Sequence, residues 1–200
     1  MTRRFSRPDH EKMAQIAAYF LRRAPAHYLW NEHLLALMYL AERESIARYG
    51  HPMTSDTALS TPYLPIMLEA SRIISSPDAG GVAGWFQNIF GDLVGLSAKG
   101  WVSGVDALSV ANAQILESVW TAHGHRDMAE LREWMLESCP EWIPDELPFV
   151  RIPLSSLALA CGYGATEARA IEADAEEQRR VEAVFSGLSA GLLRFHPGGL

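Results

Sequence analysis

The sequence predicts a mainly α fold, a compact multi-helix domain with a short strand or hairpin. Three observations carry that expectation. Apolar residues recur at three- and four-residue spacings through most of the chain. Those stretches open on polar residues of the helix-capping type and close on glycine or proline. The 200 residues, 48% hydrophobic and 20% charged, suit one domain over 1–200 with a core from about residue 9 to about residue 193. A chain of this length buries enough apolar surface to hold together without staples.

The elements follow in order. Asp9 is placed to cap a first helix running to Arg23, with Met13, Ile16, Ala17, Phe20 and Leu21 as its apolar stripe and Pro25 beyond its end. Asn31 is expected to cap a second helix that ends at Tyr49, with Gly50 in the left-handed position after it. Its first half is apolar all round, from Leu34 to Ala41, and its second half turns polar, so one end belongs in the core and the other at the surface. Residues 51–63 carry turn chemistry around one extended piece, Thr57 to Ser60. A third helix is expected straight after Pro65, and a mobile loop at Gly80-Gly81. Between Trp85 and Val105 a helical turn and a hairpin compete. Ser109 caps the next helix, with Val110, Ala113, Ile115, Leu116, Val119 and Trp120 inward and Gly124 at its end. Asp127 and Glu130 form a capping box for a helix holding Leu131, Trp134 and Met135, with Trp142 just outside it. A short helix spans Leu154–Ala160, and Thr166 is expected to cap the last one, with Ala168, Ile171, Ala175, Val181, Val184, Phe185, Leu188 and Leu192 inward.

Composition narrows the function. No run of about 18 apolar residues occurs, so no transmembrane helix is expected. Arg3, Arg4 and Arg7 precede a segment broken by Asp9, Glu11 and Lys12, which does not make a secretory signal. Cys139 and Cys161 stand far apart with no other ligand types beside them and read as thiols in a reducing cytoplasm. A net charge of -7, with only Lys12 and Lys99 as lysines, argues mildly against nucleic acid; it suits a basic protein partner, and taken alone it is better read as a balance that keeps the protein soluble.

The motifs of known chemistries are missing. His123 and His125 lie two apart beside Asp127, short of the three or four matched ligands a metal needs. His33 follows Glu32 but lacks a second histidine four residues on. No Gly-x-Ser-x-Gly elbow occurs, and both cysteines end helices, where the dipole disfavours a thiolate. Gly162-Tyr-Gly164 precedes a helix without the rest of a phosphate loop. Glu44 and Arg48 are spaced to pair on a helix surface. Of the six tryptophans most belong in the core; Trp85 and Trp142 lie beside loops, where half-exposed aromatics anchor partners, although a core position is the stronger reading for each. No catalytic residue, metal or cofactor is expected.

Three blocks, in order, resemble the Panacea-domain family of antitoxins, the group that includes the SocA-type proteins. The first is a leucine-rich helix from Leu35 with Glu42-Arg43, then Tyr49-Gly50 and Pro52. The second is Tyr63-Leu64-Pro65, in which Leu64 stands where the family usually has glycine. The third runs from Leu108-Ser109 through His123-Gly124 to Pro140-Glu141-Trp142, and the helix at Ile152–Gly162 also fits. The resemblance covers roughly residues 30 to 185. It implies a cytoplasmic antitoxin that binds and neutralises a cognate protein toxin, with no membrane or nucleic-acid partner. The alternative it carries is an adaptor that delivers a bound toxin to a protease. On this reading the partner surface comprises Arg43, Glu44, Arg48, Tyr49, Tyr63, Pro65 and Trp85. Tyr49, Tyr63 and Pro65 serve equally well to lock the turn against the core. A small enzyme using His51 or His123 and a transcriptional regulator stand as readings from other classes.

Overall fold

A computed structural model of the chain describes residues 9–75, 89–91, 95–98, 107–144 and 149–192, with side chains excepted at 90, 91, 97, 98 and 182–192. The expectations at Gly80-Gly81 and Trp85 lie outside the described residues, as do the inward positions Val184, Phe185, Leu188 and Leu192 as side chains. The fold is mainly α with short strands.

Helix α1 spans His10–Arg23, and the Asp9 carboxylate accepts the Lys12 N–H at 3.0 Å, as the capping pattern requires. A single 3-10 turn, Pro25–His27, leads into strand β1, Tyr28–Trp30, and then directly into helix α2, Asn31–Tyr49. Trp30, not Asn31, is the N-cap of α2. Its extended backbone is fixed by pairing with Gly95 of the strand Gly95–Ala98 (β5), so the strand itself sets where the helix begins. Gly50 closes α2 in the left-handed region at φ 70°, donating its N–H to the Ile46 carbonyl at 2.9 Å.

Helix α2 is the axis of the domain. Residues 33 to 42 are buried on every side, so the helix has neighbours all round. Those neighbours include α1, strand β3 (Ile66–Met67), helix α4 (Val110–His123) and helix α6 (Leu154–Ala160). Strands β1, β5 (Gly95–Ala98) and β4 (Ile89–Gly91) form one antiparallel sheet in the order β1-β5-β4, which resolves the 85–105 ambiguity as a hairpin in its described part. The second sheet has the order β3-β2-β6, with β2 at Ala58–Ser60 and β6 at Val150–Arg151.

The helix expected straight after Pro65 starts later, as α3 at Leu68–Ser75. Ile66 and Met67 instead pair with Leu59 and Ala58, and sheet pairing outweighs the proline signal. The start of α3 is capped by Asp56, whose carboxylate accepts the N–H groups of Glu69 and Ala70. Ser109 caps α4 with Asn112 in a reciprocal box, and Asn112, Ile115, Leu116 and Val119 face inward. Val110, 79% exposed, and Ala113 therefore face solvent, against expectation. Helix α5 spans Met128–Ser138 behind the expected Asp127–Glu130 box. Helix α6 ends in a pair of bonds, Gly162 N–H to Leu159 O and Tyr163 N–H to Ala158 O, with Gly162 at φ 96°. Helix α7 spans Ala165–Leu192, so Thr166 lies inside it rather than capping it, and the Glu167 carboxylate accepts the N–H of Gly164, the residue before the helix, at 3.0 Å. Ala168 of α7 is buried, Ile171 and Ala175 are half-buried, and Val181 is exposed, so burial falls off along the described part of the helix.

Candidate functional site

The site is built outwards from two adjacent residues on α2, Glu42 and Arg43, which serve different segments. Glu42 is buried and accepts the Met53 N–H at 2.6 Å and the Thr54 N–H at 2.7 Å, with the Thr54 hydroxyl as a third donor. It thereby holds the loop that follows the helix. Burial pushes its carboxyl up to about 7, against the pull of those donors. Arg43 points to the 138–142 turn. Its Nε lies 2.9 Å from Glu141 Oε1 and its Nη2 donates to the Ser138 carbonyl at 2.8 Å. The Glu141 side chain is 1% exposed, and Tyr39 donates its hydroxyl to the same oxygen at 2.6 Å. Among the described residues no partner reaches Glu141 Oε2.

Beyond that turn lies the Tyr63-Leu64-Pro65 step. Trp142, a core position by the stronger of its two sequence readings, is a core residue at 4% exposure, and its indole N–H donates to the Thr61 carbonyl at 2.8 Å. Burying an indole requires a partner for its N–H, and the bend at Thr61 supplies one. The Thr61 hydroxyl donates to the Leu64 carbonyl at 2.7 Å. Leu64 is buried, so the leucine that stands in place of the family's usual glycine is a core residue. Arg132 of α5 donates to the Tyr63 carbonyl at 3.0 Å and lies over the Trp142 ring at 5.6 Å. The main chain of Tyr63 is therefore held while its side chain stands 73% exposed.

The residues singled out in the sequence thus divide. Arg43 and Pro65 are inward-facing parts of the frame. Tyr63 is displayed. Glu44 and Arg48 pair at 2.6 Å as their spacing requires, and Arg48 also donates to the Ser118 hydroxyl of α4 at 2.8 Å. Tyr49 is half-exposed and stacks on His51 with ring centroids 6.0 Å apart. Arg43 and Tyr63 are brought to the two flanks of the Pro140–Trp142 turn, whereas Glu44, Arg48 and Tyr49 belong to the α2–α4 end.

Sequence reasoning passed over three exposed apolar residues. Ile143 follows Trp142 and exchanges hydrogen bonds with the Ser60 hydroxyl. Phe149, 66% exposed, has a left-handed backbone at φ 66°. Leu159 is on the outer side of α6. Ile143 and Leu159 line a groove with Pro140 and Val150, the residue next to Phe149. An Ile, a Phe and a Leu in three separate segments carry no periodic signal; pairing of β6 with β2 brings Val150 beside the Ser60-bonded Ile143, in the groove that Leu159 also lines.

The ionisable residues offer little chemistry here. Burial pushes the Cys139 thiol up to about 12 and also raises that of Cys161, so burial, rather than the helix dipole alone, quiets both. His123 packs its ring against Trp134 at 4.2 Å, and burial, with Arg126 beside it, lowers its pKa to about 4. Burial likewise lowers that of His33. Among the described residues no three His, Cys, Asp or Glu side chains converge on a metal position, and no helix is long and apolar enough to cross a membrane.

The family model described as "Antitoxin SocA-like, Panacea domain" matches residues 34–143, more than half of the chain. The match begins in α2 and ends at Ile143, taking in both the Glu42–Arg43 pair and the Glu141–Trp142 turn. No curated protein and no solved structure matches the chain.

Proposed function

The chain belongs to the SocA-like Panacea-domain antitoxin family, and from that premise we propose that it neutralises a cognate protein toxin by direct protein–protein binding, as one domain in the cytoplasm. The observation that carries the reading is Tyr63. A large aromatic side chain is presented to solvent from a main chain fixed by Thr61 and Arg132. Interfaces draw most of their free energy from a few such anchors, and an anchor on a rigid support loses little entropy on binding. Ile143, Phe149 and Leu159 offer further exposed apolar side chains, and Arg132 supplies a cation beside Tyr63. Arg43 and Pro65 act in this reading as positioning residues. Glu44, Arg48 and Tyr49 form a second contact region, and Trp85 is proposed as a further contact on sequence grounds.

Co-expression with the product of the adjacent gene tests the proposal. The neighbour alone should arrest growth, the pair should grow, and the two should co-purify. Tyr63→Ala should weaken the complex at least tenfold while leaving stability within about 0.5 kcal/mol of the parent, as for other surface truncations. A neighbour that is harmless alone, or that still kills with this protein bound, refutes the reading.

A further inference from the structure

A cleft of about 390 Å³ lies away from Tyr63, between the 51–58 loop, strand β6 with helix α6, and the middle of α7. That is the lower end of the size range of small-molecule sites. Its apolar lining includes Ile46, Met67 and Leu157, and its charged lining comes from five elements or the loops beside them. The carboxylates there are already committed. Asp9 caps α1 through the Lys12 N–H at 3.0 Å. Asp56 accepts from Thr57 at 2.6 Å, Glu69 at 2.9 Å and Ala70 at 3.1 Å. Glu42 is saturated by Met53 and Thr54.

The cations are not committed in the same way. Lys12 donates to the Met53 carbonyl at 3.2 Å, a neutral acceptor that leaves its charge unbalanced. Among the described residues Arg179 donates through Nε alone, to the Ala175 carbonyl at 3.1 Å, one turn back on its own helix. The Arg151 guanidinium has no side-chain partner among the described residues. Two guanidinium forks from separate elements thus line one cleft with an apolar wall, in a chain whose net charge is -7. Guanidinium forks match the paired oxygens of carboxylate and phosphate groups.

We propose that this cleft binds a small organic anion, a carboxylate or phosphate ester on an apolar body, gripped by Arg151 and Arg179. The site stands whether or not the chain neutralises a toxin. Titration calorimetry of the full chain with phenyl phosphate, with benzoate, and with phenol as the neutral comparator tests it. At least one anion should bind saturably at millimolar concentration or below, and which of the two does so names the group preferred. Arg151→Gln and Arg179→Gln should each weaken that binding about tenfold or more, while Arg72→Gln, which lies outside the cleft, should leave it unchanged. The two arginines sit on different elements, so either variant suffices if the other fails to fold. No saturable binding of either anion, phenol binding as tightly, or indifference to both substitutions overturns the proposal.

Discussion

Replacing Arg43 with methionine separates a frame residue from a contact residue. The substitution keeps the stem and removes the guanidinium. Glu141 is then left with its carboxylate 1% exposed, one oxygen held by Tyr39 alone and the other without a partner among the described residues. The Ser138 carbonyl loses its donor as well. Removing one member of a buried ion pair costs about 3–5 kcal/mol, because the survivor is an uncompensated charge. For a chain of this size that corresponds to a fall in Tm of roughly 10 °C. Urea denaturation gives the free energy from the shift in midpoint at constant slope. A cycle with Glu141→Gln, which keeps an acceptor for Tyr39 but removes the charge, isolates the pair. The double variant should recover about 2 kcal/mol relative to the sum of the two singles. A loss below about 1 kcal/mol for Arg43→Met, or additive effects, refutes the assignment of Arg43 to the frame. Loss of toxin binding in Arg43→Met with stability unchanged would make it a direct contact instead.

Glu42 gives a pH signature. Its folded carboxyl titrates at about 7 against an ordinary 4.5, so between those values the folded state holds the proton more tightly than the unfolded chain. Its contribution to stability is complete below about pH 4.5 and is lost as pH rises to about 7, a difference of up to about 3 kcal/mol. Urea midpoints across that range should fall with pH in the parent and flatten in Glu42→Gln; an unchanged slope in the variant refutes the assignment. Gly162→Ala should cost about 1 kcal/mol, since φ is 96° and nothing crowds the new methyl, so the loss is backbone strain alone. A neutral result in thermal unfolding sinks that account. Neither Cys139 nor Cys161 should react quickly with a disulfide reagent near neutral pH until urea is added, when both should; rapid labelling of folded protein at Cys139 contradicts its burial.

Local signals in the sequence were read correctly where they are short-range. The caps at Asp9, Ser109 and Asp127, the left-handed Gly50 and the Glu44–Arg48 pair each depend on residues within four positions. Errors arose where distant strands intervened. Trp30 caps α2 because β5 extends it, and Ile66 and Met67 are strand because β2 pairs with them. Val110 and Ala113 carry apolar side chains at helical spacing yet face water, since the position of α2 fixes which stripe of α4 is buried. The candidate surface was half legible. Tyr63 stood out beside its proline, but Ile143 and Leu159 share a groove only through long-range pairing, which no pattern along the chain encodes.

At position 63 the fold asks nothing of the phenol ring. Among the described residues, every tie that sets the bend there runs through peptide groups or through Thr61, Arg132 and Trp142. Mutation can therefore exchange the chemistry shown to the outside without renegotiating how the protein folds. A scaffold arranged this way can drift from one target to another by single changes at the tip of a turn, each tried at almost no structural risk.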